Sequence, residues 1–249
     1  MKIIADLHYY YYLGKDKDLF NKVVDQPITP TLYNVLELST TQNTHKIEDK
    51  VREAHRTLIH FSGNMIVEPP FLYIAKHFCE IDFDVEKEYG VIFDFSTAIA
   101  NGDKIDPDNI AHFNAWAKDM RSNAVFIADK INKELEVIRP NIKNKNEHRK
   151  KDTTKLTLQL ISNLVETATK GECDLYDKDA SPFELLIKTW DYFFKELELS
   201  KRKMTPNDVV DLLMLAYVNP GDKFWTNENF WIEMIVKAGM EEYLFKINT

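Results

Sequence analysis

Five carboxylates stand where a folded chain could gather them. Asp6 ends the apolar run of MKIIADLHYYYYLG, and Glu37 sits among Val35, Leu36 and Leu38. Asp208 and Asp211 lie three apart ahead of an almost wholly apolar stretch, and Glu228 follows Thr226 by two positions. Carboxylates brought into one pocket repel each other unless a cation answers their charge. An all-oxygen set suits Mg2+ or Mn2+ rather than zinc. Such an ion lowers the pKa of a bound water. Two of the acids also have a simpler reading. Asp6 could cap the helix that follows it, and Asp208, three after Thr205, could complete a capping box. Asp211 and Glu37 resist that explanation, because a carboxylate among apolar side chains needs a partner or a cation.

The elements that must position these acids are readable from pattern and punctuation. Residues 2–5 predict a short buried strand of the parallel-sheet kind. Residues 8–25 predict a loop and a helix. A second helix, 29–39, has Thr29 as N-cap and Pro30 at its first position, and it carries Glu37. From 44 to 203 the pattern is almost wholly helical. Segment 44–61 has an apolar stripe at 47, 51, 54, 58 and 59. The helix pattern restarts after Pro69-Pro70, runs long between Asp106-Pro107 and Pro140, and restarts at a Ser181-Pro182-Phe183-Glu184 capping box. Thr205-Pro206 opens a buried helix, KFWT is a strand, the next helix stops at Gly239, and EEYLFKI is a last strand. Such β-α alternation belongs to a parallel sheet flanked by helices, where ligands collect beyond the carboxyl ends of the strands.

Four of these segments, in this order, resemble the motifs of PIN-domain nucleases. IIADLHYYYYL resembles the first, an apolar strand ending in aspartate, and TPTLYNVLELS the second, a helix carrying a glutamate. PNDVVDLLMLAYV resembles the third, an aspartate opening a buried helix, and DKFWTNENFW the fourth, a strand followed by Thr, a variable residue and an acid. The resemblance implies a three-layer α/β/α fold with a central parallel sheet, built from residues 1–43 and 204–249, with 44–203 as a helical insertion. It also implies a metal-dependent endoribonuclease. Asp6, Glu37, Asp211 and Glu228 would be catalytic and, with Asp208 as a fifth acid, would hold one or two Mg2+ or Mn2+ ions whose bound water hydrolyses a phosphodiester, with Thr226 orienting Glu228 or that water from behind. Its substrate would be single-stranded or structured RNA, and an antitoxin or other protein could be a partner. Two departures stand out. His8 replaces the small polar residue many relatives have there, and Glu228 replaces the usual aspartate. They keep open a catalytically degenerate RNA- or protein-binding module. A helical interaction protein whose acids are only caps is the third reading.

Composition narrows the rest. A net charge of −8 over 249 residues argues against a generic nucleic-acid coat but permits a local basic face. Residues 139–155 carry seven Lys and Arg against Glu147 and Asp152, a local charge of +5. They form either a solvated loop or an arm that meets RNA phosphates through Arg139, Lys143, Lys145, Arg149, Lys150 and Lys151. The histidines are scattered without zinc spacing, and the tyrosines 9–12 read as packing, with base stacking as the sharper alternative. Cys79 and Cys173 suggest neither a disulfide framework nor a metal site, which points to a reduced, cytoplasmic compartment. No membrane span or signal peptide is expected.

Overall fold

Ile3, Ile4 and Ala5 are wholly buried, so the backbone of this first strand, β1 (Ile3–Ala5), must find hydrogen-bond partners inside the protein. It finds them 220 residues later, in β2 (Lys223–Trp225), which runs parallel to it in the register Ile3↔Lys223, Ile4↔Phe224, Ala5↔Trp225. Lys2 fastens the near end of this pair, because its backbone N–H donates to Asp222 and its ammonium lies 3.4 Å from the same carboxylate. The structure, a computed structural model, describes residues 1–40 and 48–247.

Helices make up the rest. After β1 come α1 (Leu7–Lys15), α2 (Lys17–Val23), α3 (Leu32–Thr40), α4 (Glu48–His60), α5 (Pro70–Lys76) and α6 (Val85–Asn101). Then follow α7 (Pro107–Ile138), α8 (Lys145–Arg149), α9 (Thr154–Ala168), α10 (Glu184–Leu199) and α11 (Pro206–Met214), with α12 (Asn229–Lys237) after β2. The expected start of the helical insertion at residue 44 lies outside the described residues.

The expected three-layer α/β/α fold with a central sheet is not formed. The chain is 68% helical and 4% strand, and the sheet has two strands of three residues. Single parallel bridges, Ile3↔Ile28 and Phe224↔Leu244, stand on either side of it. Pro27 and Pro30 flank the first bridge, and neither has an N–H to extend a ladder. On the other side EEYLFKI does not form the expected strand. Glu241–Tyr243 coils into a 3-10 turn that buries the Tyr243 ring, and only Leu244 and Phe245 meet the sheet.

Two predicted helix starts are also corrected. Thr29 pairs with β1 through its backbone, and α3 begins instead behind Thr31, whose N–H and hydroxyl both donate to Asn34 Oδ1, at 2.9 and 3.0 Å. Ser181 caps nothing. Its hydroxyl and N–H both donate to Asp179, and a 3-10 turn precedes α10. Residues 8–25 form two helices, α1 and α2, rather than the expected loop and helix, whereas the start of α7 is as expected: Asp106 accepts from Asp108 N with Pro107 at its first position.

The long α7 presents Phe113, Ala117, Ala124, Ile127, Ala128, Ile131 and Leu135 to the core, the apolar stripe of an amphipathic helix. It packs on α11, α3 and α6, while α10 packs on α9, α11 and α12. Buried Asp191 on α10 fastens α9, accepting from Thr153 at 2.5 Å and Thr157 at 3.2 Å and pairing with Lys195 at 2.8 Å. Gly14 lets α1 lie directly on α4: a Cβ there would meet the Glu53 carbonyl carbon at 2.9 Å. Among the described residues no helix is long and apolar enough to cross a membrane.

Cys79 and Cys173 form a disulfide, which corrects the expectation of two unrelated thiols and removes the support that the reduced-compartment reading drew from them. Their pairing across 94 residues follows from the packing of α5 on α9, a tertiary fact without a local sequence signal. Closing a loop of that length restricts the unfolded chain, an effect worth about 2–4 kcal/mol. Reduction with dithiothreitol should therefore lower the urea midpoint by that equivalent. An unchanged midpoint after complete reduction would show that the bridge contributes nothing.

Candidate metal centre

The parallel pair ends in a hydrogen bond from Asp6 N to the Trp225 carbonyl, 2.8 Å, which sets Asp6 beside the first residues after β2. The Thr226 hydroxyl donates to Asp6 Oδ2 at 3.0 Å and accepts from Glu228 N at 3.1 Å. One side chain thus aligns both acids. Asp6 and Glu228 occupy the N-cap positions of α1 and α12, yet neither carboxylate makes a capping hydrogen bond. The simpler reading of Asp6 as a helix cap is therefore not realised, and its charge is left facing the site.

Two further acids approach from the helical side. Asn34 Nδ2 donates to the Ala5 carbonyl at 3.1 Å, locking α3 to the tip of β1 and carrying Glu37 towards Asp6. Asp211 leaves the first turns of α11 and accepts from Trp231 Nε1 of α12 at 2.8 Å. Both carboxyls are half-buried. Glu37 is pushed up to about 8, first by burial and then by the charges of Asp211, Asp6 and Glu228, with His8 opposing. Asp211 is pushed up to about 7 by burial, against the Trp231 hydrogen bond, with Glu228, Asp6 and Asp208 adding to the rise. Glu228 is raised by burial and by Asp6. These mutual influences mean that Asp6, Glu37, Asp211 and Glu228 form one electrostatic cluster at the ends of the strands.

Asp208 does not join it as a free acid. Its Oδ2 accepts from Thr205 N and Oγ1, both at 2.8 Å, completing the capping box of α11, and its Oδ1 accepts from Arg202 at 2.5 Å. The carboxylate is 5% exposed and already answered by a guanidinium, so it reaches the cluster only through its field. The fifth ligand expected from the sequence is corrected accordingly.

His8 takes its place. Its Nδ1 lies 3.7 Å from Asp6 Oδ1 and 3.6 Å from Glu228 Oε1. The Asp6 carboxylate raises its pKa first, with Glu228 and Glu37 adding to the rise against the cost of burial. One donor atom each from Asp6, His8 and Glu228 lie within 4.8 Å of one another, so a single cation could touch all three. That set of two carboxylates and an imidazole is within the chemistry of Mn2+ and related ions, with Glu37 and Asp211 adding negative charge behind it. The signal for His8 was its spacing: two residues after Asp6, in the first turn of α1.

No protein-family model, curated protein or solved structure matches this chain.

The basic segment divides in two. Arg139 donates to the Leu197 carbonyl at 3.1 and 2.9 Å and to the Arg202 carbonyl, Lys145 donates to the Leu199 carbonyl at 3.1 Å, and Arg149 pairs with Glu196 at 3.1 Å. Arg139 and Lys145, cations at the last carbonyls of α10, answer its dipole, and Arg149 pairs with a carboxylate of its last turn, so these three fasten the end of α10 rather than project as an arm. Lys143, Lys150 and Lys151 are exposed and make no ion pair among the described residues.

Thr226→Val tests the alignment. It removes both hydrogen bonds with little change of volume and should lower Mn2+ affinity about 10–100-fold in a calorimetric titration. Loss of thermal stability with undiminished affinity would make Thr226 a structural residue only.

Proposed function

We propose that the protein is a divalent-metal-dependent endoribonuclease, with Asp6, Glu37, Asp211 and Glu228 as its acidic centre. The observation that carries this reading is that Asp6 and Glu228 sit at helix-capping positions without capping, and meet two further carboxyls that arrive on α3 and α11. A pocket of like charges at the ends of parallel strands is costly to fold unless a cation occupies it. The order of the four acidic segments, and their resemblance to PIN-domain nucleases, supports RNA as the substrate.

Asp6, His8 and Glu228 would hold Mn2+ or Mg2+, with Glu37 and Asp211 completing the charge around one or two ions. Bound there, the metal supplies a water acidified towards neutrality and a positive charge beside the phosphate. The chain's own groups do the rest. Thr226 keeps Asp6 and Glu228 in line, and Trp231 fixes Asp211. Glu37 and Asp211, whose proton affinity is raised by burial and like charge, would release their protons as an ion binds and so leave two carboxylates to balance its charge. Lys143, Lys150 and Lys151 offer phosphates a contact away from the centre.

Incubation of the protein with a mixed RNA pool should give Mn2+-dependent cleavage that EDTA abolishes. Cleavage that survives EDTA, or that Asp211→Asn leaves unchanged, would sink the reading. RNA binding without cleavage by any form would favour the degenerate binding module.

A further inference from the structure

We propose that the groove between α1 and α4 holds an unpaired nucleobase of the RNA strand, stacked beside Tyr12, next to the phosphate presented to the carboxylates. The inference rests on the ribonuclease reading and adds to it a binding site and a substrate form, single-stranded RNA. The groove has a volume of about 550 Å3, within the ~300–1,000 Å3 common for small-ligand clefts.

Its walls are the outer face of α1 and the start of α4. Leu7, Tyr11, Tyr12 and Val51 make it mainly apolar, and Lys15 and Lys50 stand at its rim. Of its two acids, Glu53 is paired with Arg56, which leaves two lysines against Asp49. The groove is therefore apolar within and not repulsive to phosphate at the edge. Gly14 shapes it, since the contact of α1 with the Glu53 backbone forbids a larger side chain.

Position connects it to the chemistry. His8 lines the groove and also stands 3.6–3.7 Å from the Glu228 and Asp6 carboxylates, so an occupant abuts the metal centre. Tyr12 is 45% exposed, unusual for a large ring beside a cleft, and its hydroxyl accepts from Asn227 Nδ2 at 3.4 Å, one residue before Glu228. Tyr9 stands edge-on to Tyr12 and stacks on Trp225 at 3.8 Å, giving that ring a rigid backing from the end of β2. Exposed aromatic rings with nearby cations bind bases without regard to sequence, because every base offers a π face.

The test is binding of fluorescein-labelled hexaadenylate to the full chain in EDTA, where no hydrolysis intervenes. Stacking of one base on an aromatic ring is worth roughly a 5- to 150-fold change in affinity. Tyr12→Ala should weaken binding at least about five-fold, and Tyr12→Phe, which keeps the ring, should stay within about two-fold of wild type. An abasic hexamer should bind wild type as weakly as the intact hexamer binds Tyr12→Ala. Equal binding by wild type and Tyr12→Ala at matched melting temperature would overturn the proposal, as would equal binding of the abasic hexamer or no binding at all. The two readings fail separately. Ring-dependent binding by a protein that never cleaves RNA sinks the nuclease and leaves the groove, whereas cleavage indifferent to Tyr12 does the reverse.

Discussion

Asp6→Asn should reduce Mn2+-dependent RNA cleavage by more than about 100-fold while leaving the fold intact. Replacing a residue that merely supports a metal ligand costs about 10–100-fold in affinity or activity, and Asp6 is a proposed ligand itself, so its effect should exceed that range. The amide keeps the volume of the carboxylate and can still accept from Thr226, which preserves the alignment described at the strand tips. It removes a negative charge that raises the pKa of Glu37, Asp211 and Glu228. Without metal the variant should therefore be at least as stable as wild type at pH 8, even as it loses Mn2+ affinity. That opposite movement of stability and activity separates a functional carboxylate from a structural one. Full cleavage by Asp6→Asn, or a variant that fails to fold, would count against the centre.

The second large effect is a dependence of stability on pH that a divalent cation reverses. Glu37 moves from an ordinary 4.5 to about 8 in the folded chain, and Asp211 from 3.8 to about 7. The folded state then holds protons that the unfolded chain has already released, so this stability is present in full below pH 4 and is lost as pH rises through 7 and 8. Each tenfold change in proton affinity is worth about 1.4 kcal/mol, and solvent access to the half-buried pair reduces the total to about 2–4 kcal/mol. His55 acts the other way. Wholly buried on α4, it falls from 6.5 to about 4, so its stability is present above pH 6.5 and is lost as pH falls towards 4. Between about pH 4.5 and 6.5 the two carboxyls outweigh His55, so in EDTA the urea midpoint should fall steadily from about pH 5 to pH 8. Adding Mn2+ at 100 times its dissociation constant should return about 2.7 kcal/mol on the alkaline side. Glu37→Gln should flatten the alkaline limb and blunt the gain from metal. A midpoint that stays level between pH 5 and 9 in EDTA, for wild type and variant alike, would refute the coupling.

Local chemistry was legible and long-range geometry less so. The apolar run 3–5 and the segment 223–225 were readable as strands because short buried strands need only side chains of one kind, bounded by turn residues. The resemblance to the fourth motif set Thr226 beside Glu228, and its hydroxyl accepts from Glu228 N. The width of the sheet could not be read. No strand was expected near Ile28, where Pro27 and Pro30 limit the contact with β1 to a single bridge. Asp208 presented two roles with one sequence, and Arg202 decided between them by reaching its free oxygen. Arg139 looked like an arm because composition does not show that the end of α10, nearly sixty residues on, offers it carbonyls. Cys79 and Cys173 are likewise joined by helix packing alone.

The pairing of Ile3–Ala5 with Lys223–Trp225 has a consequence for how the protein comes into being. A ribosome adding about 5–20 residues per second makes Asp6 some ten to forty seconds before Glu228. Through that interval β1 has no partner strand, and Thr226 does not yet exist to align Asp6. The acidic pocket is thus absent from every nascent chain that stops short of Glu228. Closing a contact so distant in sequence also makes it a late step in folding. On the proposed reading, the metal centre cannot assemble on the ribosome until Glu228 has been made.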